Sequence, residues 1–491
     1  MSESHYVVRV IARLVTTRLI YRVLVAVSVI FISNYLIVNP VLADSFDLAS
    51  SIVSIVMIAS EVGMSMVLMK HTSERHYGTA LTIETIAWML IFVVILGGYA
   101  LFNGLTVLFW LMAILGLNQA AIQYRVPIRS IFRSKHSHEK ITYLEVLDGL
   151  SKLLGIVLIT YLITDITLGA YIIAGWYTLT TIFFMVIYLL NSFHLVRPTL
   201  DWALAKPMIR EGVWFAMQAL IMTVYFEVDK WVLRVFQITG WANIADGDIA
   251  RYGASSRIVV FFLVFHRIGL QVITPYLYAA YPDQLDKYRK IVSRSTEYMS
   301  SAGIIIGVLI ITQADLIMHI LYKPAFWNAI PALMLFGAFF IVRFIGITSS
   351  QIFATTENQP LRTKQEGVAV VGNVVLDLIL MPWFSFLGGA IASFIIELFS
   401  QGIFFVISRR IIQAPLWASF KPVVPSIISG GLVGLTLWFS KPWWIGFSTT
   451  KPMTLITCVA VSSLGLLCYG ALLTVWLRRL PIGAHYLLKQ Q

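Results

Sequence analysis

The chain has 491 residues, of which 58% are hydrophobic and 12% charged, with a formal charge of +12. Its mean hydropathy is +0.82. Soluble domains run about 45–50% apolar and about 25% charged, so this composition excludes a water-soluble globule and requires lipid as the solvent. The basic excess would suggest nucleic acid in a soluble chain, but here it belongs to membrane topology, and no nucleic-acid partner is expected.

In chain order, residues 5–18 (HYVVRVIARLVTTR) set Arg9, Arg13 and Arg18 along a short segment. The spacing suits either an interfacial amphipathic helix or a plain basic flank, and residues 1–18 are read as a cytoplasmic basic segment. No cleavable signal peptide is expected, because the first apolar run is full length and lacks a small-residue cleavage site. Apolar runs of about the 20 residues needed to cross a bilayer follow near 19–38, 48–69, 79–101, 105–124, 144–163, 167–190, 211–237, 251–275, 297–322, 329–354, 366–383, 387–408, 422–440 and 454–477. The fold class expected is thus an all-α polytopic membrane protein with about 14 transmembrane helices. The runs are continuously apolar and lack the short alternation of a membrane barrel. Residues 478–491 are read as a cytoplasmic tail. Cys458 and Cys468 lie on one apolar run and cannot staple loops.

With the N-terminus in the cytoplasm, alternation places 26 of the 36 Lys and Arg in cytoplasmic segments, with Arg125, Arg129, Arg133, Lys135 and Lys140 in one loop. External segments hold Lys323, Lys441 and Lys451 beside Asp44, Asp47, Asp165, Asp246 and Asp248. That asymmetry is what the positive-inside rule requires of a multi-pass protein with both termini in the cytoplasm.

Seven cations remain in or at the edges of the spans: Lys152, Lys230, Arg234, Arg251, Arg257, Arg267 and Arg343. Each costs roughly 2.5–3.5 kcal/mol near a helix centre on insertion scales, so most must face a bundle interior or a wet cavity. Five fall within residues 230–267, and YFEVDKWVLRVF (225–236) is the densest stretch. On a helix Glu227, Lys230 and Arg234 share one face, so Glu227 can neutralise Lys230, while Asp229 points to another helix. Snorkelling accounts for the end positions Arg251 and Lys152. The acids within spans are Glu61, Glu84, Asp148, Asp229, Asp377 and Glu397. Buried ion pairs that fix helix register would explain individual residues. The set as a whole reads as a cationic cavity for an anion that enters the membrane.

Other chemistries lack residues. The nine His are scattered, no metal-spaced His/Cys set or glycine-rich phosphate loop appears, and no enzyme, metal or cofactor is expected. The prolines Pro127, Pro275, Pro324 and Pro382 are read at span ends, as ordinary helix stops or hinges.

Residues 321–333, LYKPAFWNAIPAL, resemble the segment after the ninth span of polysaccharide flippases, within the multidrug/oligosaccharidyl-lipid/polysaccharide exporter superfamily. Residues 372–382 (GNVVLDLILMP) and 387–393 (LGGAIAS) resemble that family's eleventh and twelfth spans. ATTEN (354–358), EVGMS (61–65), the Asp229–Lys230 pair and IARYGA (249–254) fit its order and spacing. The resemblance covers roughly residues 20–410. The first external loop, ADSFDL (43–48), departs from the family's Gly-Pro pattern, and Lys323 stands where Gly is usual.

The resemblance implies two six-helix lobes, residues 19–190 and 211–408, with two extra C-terminal helices over 422–477. It further implies a flippase that moves a polyprenyl-diphosphate-linked oligosaccharide across the cytoplasmic membrane for surface polysaccharide synthesis, by alternating access. The seven cations would then bind the diphosphate and sugar, with Glu61, Glu227, Asp229, Asp377 and Glu397 as supporting or coupling acids. Partners would be the lipid-linked substrate, membrane lipid and polysaccharide polymerase or assembly proteins. Gly388-Gly389-Ala390 would let helices slide, or simply pack tightly. The alternative is a cation-coupled drug or metabolite antiporter of the same superfamily, for which first-lobe acids such as Glu61, Glu84 and Asp148 would speak. A scaffold role in an envelope assembly is a third class.

Overall fold

A computed structural model describes residues 3–64, 67–68, 74–134, 138–192, 199–446 and 450–479. Within these, the side chains of 3–16, 126–134 and 267–268 are among those left undescribed. Among the described residues all regular structure is helical. In lipid each backbone N–H and C=O must be satisfied within its own segment, and a continuously apolar run does so only as a helix.

The long helices are α1 (Glu3–Leu36), α2 (Pro40–Glu61), α3 (Glu74–Asn103), α4 (Val107–Ser134), α5 (His138–Leu162), α6 (Ile166–Ser192) and α7 (Trp202–Thr239). They are followed by α8 (Asp248–Ala280), α9 (Leu285–Thr312), the short α10 (Ala314–Leu321), α11 (Ile330–Thr355), α12 (Gln359–Phe384), α13 (Phe386–Ile411), α14 (Val424–Ile445) and α15 (Lys451–Arg479). Twelve of them are long and apolar enough to cross a membrane. The expected spans 144–163 and 211–237 are helical as α5 and α7 but fall outside that set. The reason is charge: α5 carries Glu145, Asp148 and Lys152, and α7 carries Glu227, Asp229, Lys230 and Arg234. The protein is a multi-pass, all-α membrane protein. Exposed tryptophans at helix ends, including Trp241, Trp383 and Trp443, have the character of an interfacial aromatic belt.

Four boundaries differ from expectation. The basic segment 5–18 is continuous with the first span in α1. The expected first external loop is helix: α2 starts at Pro40, capped by Asn39, whose Oδ1 accepts from the Leu42 N–H at 3.3 Å. Asp44 and Asp47 are therefore buried on α2 rather than exposed in a loop. The expected span 297–322 breaks at Gln313, between α9 and α10, where Ala314 restarts the helix. Pro127 and Pro275 lie inside α4 and α8 rather than at their ends, so neither is a stop.

Contacts divide the chain into two units, residues 1–253 and 254–491. In unit 1, α1 packs on α5, α4 on α6, and α2 on α4 and α7, while α3 packs on α2, α4 and α7. A cluster including Met64, Leu68, Tyr77, Leu81, Ala205 and Met208 seals the junction of α2, α3 and α7. There Val62 and Gly63 both take left-handed backbone after α2 (φ +49° and +68°). A Cβ on Gly212 of α7 would come within 2.2 Å of the Val62 carbonyl, so only glycine permits this approach.

In unit 2, α9 packs on α11 and α14, α11 on α13, and α12 on α13. A Cβ on Gly388 would lie 2.6 Å from the Leu380 carbonyl, so the small-residue run serves close packing at the α12–α13 junction. The last two helices are tied to the rest of the unit by polar contacts. Lys441 pairs with Asp315, Gln313 Nε2 donates to Ser462 Oγ at 3.0 Å, and Tyr469 donates its hydroxyl to the Ser301 carbonyl at 3.0 Å.

Candidate functional site

The stretch 225–236 forms three turns of α7 in unit 1. Lys230 Nζ donates to Glu227 Oε2 at 2.7 Å, as the i, i+3 spacing requires, with Lys230 buried and Glu227 half-buried. Asp229 points elsewhere: it is fully buried and accepts the Tyr252 hydroxyl from the start of α8. Arg234, one turn beyond Lys230, finds no carboxylate. Its Nη1 donates to Gln237 Oε1 at 2.8 Å, and its buried Nε has no hydrogen-bond partner.

The chain of bonds continues from Gln237. Its Nε2 reaches Asp44 Oδ2 at 3.1 Å and Asp246 Oδ1 at 3.2 Å. Asp44 also accepts the backbone N–H of Gly247 at 2.8 Å and of Ala250 at 2.9 Å. A carboxylate on α2 thereby caps the first turn of α8, satisfying two orphan donors at the positive end of its dipole. Arg251 donates to Asp248 Oδ1 at 2.7 Å, an ion pair rather than a snorkelling end. Trp231 Nε1 donates to Ser51 Oγ at 3.0 Å, a second tie between α7 and α2.

Lys152 lies in a different cluster of unit 1 and contradicts the snorkelling reading, being 2% exposed. Asp148 takes Arg125 Nη1 at 2.7 Å and Lys152 Nζ at 3.2 Å. Arg125 also donates Nη2 to the Thr181 carbonyl at 2.6 Å, and the Tyr188 and Tyr177 rings face Arg125 and Lys152. Arg125, expected in a cytoplasmic loop, is 1% exposed within α4. Its carboxylate partner, Asp148, lies on the neighbouring helix, and α4 runs on to Ser134, so most of the expected loop is helix.

In unit 2, Arg343 donates to Glu397 Oε2 at 2.9 Å while Gln401 donates to Glu397 Oε1 at 2.7 Å. Asn373 donates Nδ2 to Asp377 Oδ2 at 3.3 Å, both fully buried. Arg257 is half-buried and has interactions of its own. The Arg267 side chain lies outside the described residues. Glu61 ends α2, half-buried.

The structure therefore brings Lys230, Arg234, Glu227, Asp229 and Arg251 together in unit 1, with Asp44, Gln237 and Tyr252 as members that sequence reading missed. The missed partners are separated in the chain: Asp44 and Gly247 are 203 positions apart. Nothing local marks such a pairing. Lys152 stands apart from this group, and Arg343, Glu397 and Asp377 belong to unit 2.

Chemically, the α7 group offers one guanidinium with unused donor capacity, one ammonium shared with a half-exposed carboxylate, and a fixed acid. It can take up an oxyanion, because Arg234 has no carboxylate to surrender.

No family model matches the sequence, and no curated protein matches it either. Solved structures do match. One is described as the lipid II flippase MurJ in an inward closed conformation, at TM-score 0.70 and 14% identity, covering 95% of this chain and 98% of that one. This is the fold of MurJ. A multidrug resistance MATE family transporter of the MOP superfamily, inward-facing, matches at TM-score 0.57 and 14% identity, over 82% of this chain and 95% of that one. A MOP superfamily transporter from Pyrococcus furiosus, described as having a binding pocket of reverse polarity, matches at TM-score 0.58 and 15% identity, over 82% and 95%.

Proposed function

We propose that the protein is a flippase that moves a polyprenyl-diphosphate-linked oligosaccharide across the cytoplasmic membrane for surface polysaccharide synthesis. The observation that carries this reading is the α7 group, above all Arg234, a membrane-embedded guanidinium bound to an amide and not to an acid. An intramembrane cation kept without a carboxylate serves an anion that visits it. Arg presents a planar fork that matches the oxygens of a diphosphate, and Lys230 supplies a second charge one turn away. A fold shared with a protein described as a lipid II flippase fits a lipid-borne cargo.

In this mechanism the diphosphate binds Lys230 and Arg234 from the cytoplasmic leaflet, with Arg251, Arg257, Arg267 and Arg343 as further members of the path, while Lys152, held by Asp148 in a closed cluster, takes no part. The lipid tail stays in the bilayer. Glu227 holds Lys230 until the anion arrives, then yields it. The lobes over 19–190 and 211–408 rock, and the sugar is delivered outside. Polymerase and assembly proteins would take the product. No chemical step is required of the protein.

Deletion of the gene tests the reading: surface polysaccharide should be lost while its lipid-linked repeat unit accumulates. Loss of drug resistance with normal surface sugar would instead assign the antiporter function. Topology is tested separately in a chain with Cys458 and Cys468 replaced. Cysteines at the exposed positions 246 and 446 should label from outside intact cells, and one at 135 only after permeabilisation.

A further inference from the structure

Arg409 stands in the last turn of α13 and is 3% exposed. Its neighbour Arg410 is exposed, so open surface lies within reach of the same turn. A long cationic side chain at the end of a span ordinarily carries its head outward to water. Arg409 does the reverse. Side chains on a helix lean toward its N-terminus, and the Arg409 guanidinium lies 4.9 Å from the centre of the Phe405 ring, one turn back into the span.

Among the described residues no carboxylate neutralises it. In unit 2, Asp286, Glu297, Asp315, Glu366 and Glu397 each hold a Lys or Arg of their own. Asp377 takes Asn373, and Asp283 and Glu357 are exposed. Nor does Arg409 serve the carbonyls that end α13, as a basic residue in the last turn often does. Arg289 of α9 does so instead, donating Nε to the Ile412 carbonyl at 2.8 Å and Nη2 to that of Gln413 at 3.1 Å. The Phe405 ring offsets part of the charge, but the Nε–H of Arg409 still has no partner.

The unsatisfied edge is specific. Nε and Nη2 project N–H bonds from one side of the guanidinium, the fork that takes an anion. Here the buried Nε is unpartnered, and Nη2 reaches only Ser349 Oγ on α11, at a long 3.5 Å. Ser349 is itself fully buried. Ser350 and Thr355 of the same helix donate their hydroxyl protons to its backbone carbonyls, the usual bond for such residues inside a helix. Among the described residues Ser349 donates to none, so its proton is available beside Arg409. From α9, the fully buried Tyr288 is close enough to Arg409 to interact electrostatically, and its hydroxyl meets Thr355 Oγ1 at 2.6 Å. Three helices thus enclose one cation and one hydroxyl with an unused proton, and supply no acid.

We propose that Arg409 and Ser349 hold a resident small monovalent anion, of the chloride class, enclosed by α9, α11 and α13 in unit 2. The anion accepts the Nε and Nη2 N–H bonds of Arg409 and the Ser349 hydroxyl, and it balances a buried charge that no carboxylate meets. One positive charge calls for one negative charge, and the burial of Arg409, Ser349 and Tyr288 suits a small ion rather than a lipid headgroup. Arg234 differs in being half-buried and available to a visiting anion. The Arg409 site needs no cargo, so it stands or falls separately from the proposed substrate.

The test uses the purified full chain in lipid nanodiscs, without substrate. The thermal unfolding midpoint is followed as sodium chloride replaces sodium gluconate at fixed ionic strength, because a ligand that binds the folded state raises it by mass action. Chloride should raise the wild-type midpoint progressively, gluconate being too large to enter. R409Q should lose that rise, and R409K should keep only part of it, because lysine lacks the fork. S349A should need more chloride for the same shift, while R234A should keep the full rise. If R409Q does not reach the membrane, S349A decides the matter: a chloride response equal to that of the wild type overturns the proposal. So does a wild type indifferent to chloride, an R409Q protein that keeps the rise, or a rise lost in R234A instead.

Discussion

Two charge clusters in unit 1 use the same residue types to opposite ends. Around Asp148, two cations converge on one carboxylate, every member is 2% exposed or less, and both cations are backed by tyrosine rings. Around α7, Lys230 shares a half-exposed Glu227, and Arg234 reaches only an amide. The first cluster is saturated and closed, and it can hold α4, α5 and α6 in register. The second has unused donors and partial access, and it can exchange partners. Intramembrane charge alone does not signal function; the difference lies in whether each cation has an acid and whether anything can reach it.

The comparison is broken most severely at Asp148. Asp148→Asn leaves Arg125 and Lys152 buried without a counter-charge, and breaking a buried pair from one side costs about 3–5 kcal/mol. The amount of folded protein in the membrane should fall strongly, as read by detergent extraction and size exclusion. Normal abundance of this variant would show that the cluster is not a structural tie.

A smaller effect is expected at Lys230 and Glu227. Lys230→Met alone leaves Glu227 half-exposed and should lower abundance only modestly. Neutralising Glu227 together with Lys230 should restore it, since an ion pair can often be replaced by neutral residues. If the double variant is less abundant than the single one, the pair does more than balance charge.

The mildest change concerns the end of α2. Asn39→Ala removes the side-chain acceptor for the Leu42 N–H and should cost about 1 kcal/mol, seen as a small fall in thermal midpoint without loss of transport. A large loss of transport here would mean that the α1–α2 junction matters beyond its cap.

Much of the fold was legible because apolar runs of membrane length leave little choice but helix. The breaks in the reading have local causes. Gln313 interrupts an apolar stretch without proline or glycine, so the α9–α10 division had no sequence mark. Asp44 and Asp47 looked like loop residues because acids are costly in a span. Asp44 is held inside α2 by partners elsewhere in the chain, Gln237 and two backbone N–H groups near the start of α8. Of the site, the Lys230–Glu227 pair followed from helical periodicity. The closed state of Lys152 did not, since it depends on Asp148 being shared with Arg125 from another helix. Periodicity predicts neighbours on one helix, while pairing between helices is decided by packing.

The central claim is that the α7 cations serve a visiting anion and not the bundle. Surface polysaccharide and membrane protein level, measured together in cells carrying Arg234→Ala with Arg257→Ala, test it most directly. The account predicts near-normal protein and no export, with Arg234→Lys alone keeping part of the activity because it supplies charge without the fork. Export that persists in the double variant at normal protein level would contradict it.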